Sequence, residues 1–190
     1  MGELKVTGFS TYLHPLGDNH LLALGEARDE SGGWQGRAVK LSLFDVSDPA
    51  HPREAFTQTV GTSSGYTEAL WSHKAFNFFP ERGLLAIPFS DWNSSSGDYW
   101  SSFVSDLRLF HVSVTGGITP RGSLGLSDLY RSYGSGAWSY TYSPWVRRSV
   151  MADDSGSTYV YAISDAGIRV ARQDALGAPL ATAPFLLARP

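Results

Sequence analysis

The side chains best suited to chemistry in this sequence are carboxylates and histidines, and few of them are grouped. Asp91, Asp98 and Asp106 surround one Ser- and Gly-rich stretch, with His73 upstream. Two carboxylates at a suitable separation can hydrolyse a glycosidic bond, one as acid and one as base or nucleophile. Sequence does not give that separation, and aspartates among Ser and Gly more often make local turn bonds. The five histidines are His14, His20, His51, His73 and His111, and none has the spacing to a second ligand that a metal site needs. Asp153-Asp-Ser-Gly-Ser157 resembles a calcium loop only superficially. It lacks the repeated Asp-x-Asp order and the distal Glu, and reads better as a hairpin turn. No cysteine is present, which removes disulfides and thiolate chemistry. Nor is there a Gly-x-Ser-x-Gly elbow, a P-loop or a dinucleotide fingerprint. Asn93-Ser-Ser95 fits a glycosylation sequon, a pattern common by chance. No cofactor is expected.

Aromatic side chains give a stronger signal. Trp34, Tyr66, Trp71, Trp92, Tyr99, Trp100, Tyr133, Trp138, Tyr140 and Trp145 fall in or beside Ser- and Gly-rich stretches, and His73 adjoins one of them. Tyr and Trp offer large rigid contact areas at low entropy cost, and Ser and Gly supply adaptable hydrogen bonding between them. These eleven residues are the candidate ligand-binding set, suited to a glycan, a peptide or a protein partner. The same aromatics also serve as packing for long loops, so each has a structural alternative.

Composition narrows the field further. The chain has 190 residues, 42% hydrophobic and 17% charged, as a globular chain does. A net charge of −3 provides no basic field for a phosphate backbone, so a nucleic-acid partner is not expected. Met1–Lys5 has no apolar signal-peptide region, and no apolar run approaches the length of a membrane span.

The elements that must position these residues recur. His20–Gly25, Val39–Ser47 and Arg53–Val60 read as consecutive strands; so do Gly83–Pro88, Val104–Ser113 and Ile118–Leu124, and again Thr158–Ser164, Gly167–Ala171 and Ala178–Phe185. Ahead of each set lies one more strand, over Ser10–His14, Lys74–Phe79 and Arg148–Ala152. The units return roughly every 60 positions, which marks a repeat protein. Val39, Leu41 and Leu43 alternate with Lys40, Ser42 and Phe44, while the second strand of each unit is nearly all apolar. Turn residues join the first strand to the second at 15–19, 80–83 and 153–156, and the third to the fourth at 47–52, 115–117 and 174–177. Four-stranded antiparallel units in series predict an all-β fold, a β-propeller fragment of three blades. The blades lie at about 9–61, 72–125 and 146–187 within a single domain of residues 1–190, and residues 3–7 read as a strand of a preceding blade. A β-sandwich is the alternative, though it gives no reason for the repeat. Open end blades are expected to be covered by remaining propeller blades or by a second copy of the chain.

Strands of alternating direction send the 26–36, 61–72, 90–102 and 125–144 connections to one face of the propeller, and the short turns to the other. Long loops on a rigid scaffold are where binding concentrates.

Leu4–Pro15, Lys40–Pro49, His73–Phe76 and Arg148–Val150 with Tyr161–Ile168 resemble corresponding phrases of a bacterial family of secreted proteins. That family carries a C-terminal β-propeller distantly related to WD-repeat propellers. The resemblance implies a secreted or cell-envelope setting and supplies no catalytic residues. The expectation is a non-catalytic binding or scaffolding module with an aromatic loop face. The competing expectation is a carbohydrate-active enzyme, a hydrolase or lyase, with its acid and base among Asp91, Asp98, Asp106 and His73.

Overall fold

A computed structural model of the chain describes residues 2–28, 37–92, 103–129, 131–133, 140–142 and 145–185. Three four-stranded antiparallel sheets follow one another, each in simple meander order. Blade 1 comprises β1 (Phe9–Leu16), β2 (His20–Ala27), β3 (Ala38–Asp45) and β4 (Arg53–Val60). Blade 2 comprises β5 (Asn77–Phe79), β6 (Leu84–Trp92), β7 (Phe103–Ser113) and β8 (Gly117–Gly125). A two-stranded hairpin, β9 (Arg131–Tyr133) with β10 (Tyr140–Tyr142), interrupts the path to blade 3. Blade 3 comprises β11 (Val146–Asp154), β12 (Ser157–Ser164), β13 (Gly167–Arg172) and β14 (Ala181–Pro184). The fold is all-β.

The repeat extends to irregularities. In blade 1 the β3–β4 ladder slips by one residue between Leu43 and Phe44, and in blade 2 the β7–β8 ladder slips between Leu109 and Phe110. Both slips occur at a Leu-Phe pair, so the bulge belongs to the repeating unit. A second pair of slips lies in the first strands, leaving Thr11 and Arg147 as the extra residues. Such bulges re-aim side chains.

Two cores lie between the sheets. Leu22, Leu24, Val39, Leu41 and Leu43 of blade 1 pack against Leu85, Ile87 and Phe89 of blade 2. Ala86, Leu107, Leu109 and Leu124 on the other face of blade 2 meet Val146, Val160, Ala162 and Ala171 of blade 3. Blades 1 and 2 each present a forward face to the backward face of the next blade, and β6, with a neighbour on each side, is apolar throughout its buried middle.

Several expectations shift. The strand predicted over Lys74–Phe79 shortens to Asn77–Phe79, because His73–Ala75 coil into a 3₁₀ turn. That turn tucks Ala75 and Phe76 into the first core, burial that a straight strand there would forgo. The last strand covers only Ala181–Pro184 of the expected 178–185. Residues 3–7 are in no strand; Gly2 N donates to Pro49 O and Lys40 Nζ to Thr7 O, which holds the segment across the backward face of blade 1. Ser155 and Gly156, both left-handed, turn the β11–β12 hairpin where the false calcium loop stood. Among the described residues, no helix is long and apolar enough to cross a membrane.

Candidate functional site

Among the described residues, the connection from blade 1 to blade 2 forms a well-bonded part of the predicted binding face. Gly61 opens it with φ 75°, and a Cβ there would lie 2.2 Å from the Phe89 ring. The chain turns tightly against blade 2 at a place that favours glycine. Thr62 then locks the loop, its amide donating to Asp91 Oδ2 at 2.8 Å and its hydroxyl to Asp91 Oδ1 at 2.7 Å. Tyr66 and Ser90 exchange two backbone hydrogen bonds of 2.8 Å. Tyr66 thus takes the place beside β6 that the shortened β5 leaves open. Thr67 caps the 3₁₀ turn Glu68–Leu70 by accepting from Ala69 N. Ala69 and Leu70 are buried, and the next residue, Trp71, points outward with 75% of its surface exposed.

Four rings gather where blades 2 and 3 meet beneath this loop. Trp92 and Phe103 close the β6–β7 ladder with centroids 4.8 Å apart. Trp145 packs 5.5 Å from Phe103, 5.9 Å from Trp92 and 5.7 Å from Tyr66, meeting the last two edge to face. Such geometries suit the charge distribution of aromatic faces and edges. Arg147, the bulged residue of β11, places its guanidinium 5.9 Å over Trp145. It donates two 2.9 Å bonds to Asp165 and reaches Glu68 at 3.3 Å. Arg148 donates to Glu68 at 2.6 Å and to Ser72 at 3.3 Å. Glu68, in the loop between blades 1 and 2, is thereby pinned to the first strand of blade 3. Hydrogen bonds from Arg147 to Asp165 raise the arginine's pKa, and burial beside Glu68 raises that of Tyr66.

The structure brings Tyr66, Trp92 and Trp145 of the predicted set together. Trp71 and His73 stand outside that cluster, both exposed. His73 opens a 3₁₀ turn, which corrects its expected place at the start of a strand. Tyr133 and Tyr140 are paired opposite one another in the β9–β10 hairpin. Trp34, Tyr99, Trp100 and Trp138 lie outside the described residues. Sequence reasoning missed Phe103, Glu68, Arg147 and Asp165. The strand-end position of Phe103 opposite Trp92 was a usable signal for the first; nothing local pairs Glu68 with Arg147.

The carboxylate set is differently employed. Asp91 and Asp106 are close enough for their charges to interact, and Asp106 is held above the ordinary carboxylate range by burial, against the pull of Arg108. Asp91, however, already accepts from both Thr62 groups and from Trp92 N. Asp106 accepts from Arg108 at 2.7 Å. Asp91 thus ties the linking loop to blade 2, Asp106 is bonded within blade 2, and Asp98 lies outside the described residues. Among the described residues, no three His, Asp or Glu side chains are grouped so as to hold a metal ion.

The chain matches the beta propeller domain family over residues 1–176. It belongs to that family. Two archaeal proteins are similar to parts of it. An uncharacterised protein of Archaeoglobus fulgidus is 38% identical over 109 residues, covering 57% of this chain and 15% of its own length. A second uncharacterised protein, from Methanocaldococcus jannaschii, is 37% identical over 84 residues, covering 42% of this chain and 12% of its own. The chain therefore corresponds to a small part of these relatives. Both are archaeal, whereas the sequence resemblance implied a bacterial setting. No solved structure matches. A β-propeller domain of this kind suggests a binding or scaffolding module.

Proposed function

We propose that this propeller segment is a non-catalytic binding module, and that the 61–72 loop presents its ligand-contacting surface to a glycan, peptide or protein partner. The observation that carries the reading is Trp71. Its neighbours Ala69 and Leu70 are buried, its loop is bonded to blade 2 at Asp91 and Ser90, and yet the indole stands 75% exposed. A large flat ring held out on a rigid base is an anchor for a stacking partner at little entropy cost. Arg148, bonded to the adjacent Ser72, and Glu68 supply a polar rim. Beneath them the Tyr66–Trp92–Phe103–Trp145 cluster is the floor that keeps the loop in place. Asp91 and Asp106 are engaged in structural bonds, which favours binding over glycoside hydrolysis. A cell-envelope or extracellular setting is part of the same proposal and rests on the sequence resemblance.

The test is a screen of the chain against glycan and peptide arrays, followed by titration of any hit with Trp71→Ala. Binding is expected to weaken by about tenfold or more, as for a central aromatic anchor. A hit whose affinity is indifferent to Trp71→Ala overturns the assignment of this surface.

A further inference from the structure

The surface around Trp71 has a charge of its own. The 3₁₀ turn that carries Lys74 follows Ser72 directly and packs against β11, the strand of Arg147 and Arg148. These three cations lie beside two carboxylates, Glu68 and Asp165, so the patch is net positive in a chain of net charge −3. Elsewhere most arginines are committed to ion pairs, as Arg53 is to Asp45, Arg82 to Asp153 and Arg169 to Asp128. The ammonium of Lys74 is exposed and has no carboxylate or hydrogen-bond partner among the described residues. Exposed His73 precedes it. Arg148 has donors left over: Nη1 donates to Glu68 and to Arg147 O, and Nη2 to Ser72 Oγ. Nε and the second Nη2 hydrogen have no acceptor among the described residues, and the side chain is 34% exposed. Through Ser72, this guanidinium stands at the residue next to the bare indole.

We propose that the ligand of this surface is an acidic glycan built of uronic acid units, one pyranose ring stacked on Trp71 and its carboxylate received by Arg148 and Lys74. The inference rests on the reading of Trp71 as an anchor and adds the chemical class of what it holds. A guanidinium fork matches the two oxygens of a carboxylate. A uronic acid carries that carboxylate at the ring edge, which leaves its C–H face free to stack. Two observations select a sugar over a polypeptide. An extended peptide draws affinity from adding to an open sheet edge, and here Tyr66 already fills the edge of β6 through two 2.8 Å bonds with Ser90. A folded protein needs several apolar side chains at the centre of its contact, and Trp71 is the one large apolar side chain exposed in the 61–72 loop.

Isothermal titration of the chain with oligomers of galacturonate, guluronate and glucuronate tests this, each beside its methyl ester and beside poly-glutamate. At least one uronate is expected to bind about tenfold more tightly than its ester, which keeps the ring and loses the charge, and than poly-glutamate. Trp71→Ala should weaken it about tenfold and Lys74→Gln about threefold, and added salt should weaken it further. Lys74→Gln breaks no bond to a described residue, so it removes the charge without a cost in folding. Arg121→Gln removes an equal charge from exposed β8 and should leave the affinity unchanged. Failure of every uronate to bind overturns the acidic sugar, as does an ester or poly-glutamate that binds equally well. So does a loss with Arg121→Gln equal to that with Lys74→Gln, since overall charge would then account for the binding. A neutral sugar or a peptide that binds instead, and is weakened by Trp71→Ala, leaves the Trp71 surface standing. Uronate binding indifferent to Trp71→Ala overturns both readings.

Discussion

Blades 2 and 3 carry the same four strands in the same order, yet one is a central layer and the other a boundary. Every forward-face residue of blade 2 in the second core is at most 1% exposed: Ala86, Leu107, Leu109 and Leu124. The corresponding positions of blade 3 are half-buried or exposed. Their chemistry has shifted with their surroundings, from Leu and Ala in blade 2 to Tyr, Ile and Val in blade 3. Tyrosine suits a surface that must tolerate water and still accept an apolar partner, because its ring packs while its hydroxyl stays wet. Strand pairing sets the architecture of a blade, and what lies against each face sets its energetics.

The largest effect separating the two blades should come from truncating equivalent side chains. Leu109→Ala opens a cavity between two packed sheets and is expected to cost about 2–5 kcal/mol. Val170→Ala, on the open face, should cost below about 1 kcal/mol, since the methyls it loses are already partly in water. Chemical denaturation of the two variants at low protein concentration measures the difference. Equal costs would mean that the blade 3 face is as enclosed as that of blade 2, and the contrast would fail.

A smaller effect is expected at Arg169, through which blade 3 holds the loop that follows blade 2. Its side chain is 8% exposed; it binds Asp128 through both terminal nitrogens, donates to Gly125 O at 2.7 Å, and reaches Thr182 at 2.9 Å. Arg169→Met keeps the length of the side chain and removes every donor. A loss of about 1–3 kcal/mol is expected, because Gly125 O loses a charged partner while the largely exposed Asp128 returns to water. Faster amide exchange at residues 126–129, with blade 1 unchanged, would place the loss at this junction. Uniform acceleration across all three blades would refute a local role.

How far the sequence exposed this arrangement depends on the range of the interactions. The β-strands were legible because their signals are local: the apolar run of β6, the alternation of β3, and turns such as Pro80–Gly83, where Gly83 adopts φ 57°. The 3₁₀ turn at His73–Ala75 was not, because its residues fit a strand and only the burial of Ala75 and Phe76 favours the coil. Trp71 is legible as a loop aromatic, but nothing in its neighbourhood distinguishes it from Tyr66, whose backbone pairs with Ser90. The Glu68–Arg147 and Glu68–Arg148 contacts join residues about 80 positions apart, and their formation depends on the bulge in β11. The same dependence on distant partners hides Arg169 and Asp128.

Acid should separate the blades by sign. Burial raises the pKa of Asp106 of blade 2, so its ionisation opposes folding, and that penalty is relieved as pH falls through its folded-state value. Asp153 and Asp174 of blade 3 are lowered, by the Thr158 hydroxyl and by Arg172. Their support is present above the unfolded carboxylate value of about 3.9 and is lost as pH falls toward their lower folded values. Carboxyl-carbon NMR across acid pH should show Asp106 protonating first, with Asp153 and Asp174 following. The reverse order would mean that the desolvation of Asp106 is weaker than its burial implies.

The smallest expected effect on stability bears most directly on function. Trp145 packs against three rings, whereas Trp71, on the loop between blades 1 and 2, is 75% exposed. Removing Trp145 should destabilise the chain by several kcal/mol, in the range of about 3–5 for a packed aromatic. Trp71→Ala should change stability by no more than about 0.5 kcal/mol, as at a surface position with few partners. A residue that contributes almost nothing to folding yet holds a large apolar ring in water is explained by what it contacts outside the chain. If Trp71→Ala instead lowers the thermal midpoint as far as Trp145→Ala does, the ring is part of the loop's packing and the binding surface must be sought elsewhere on this face.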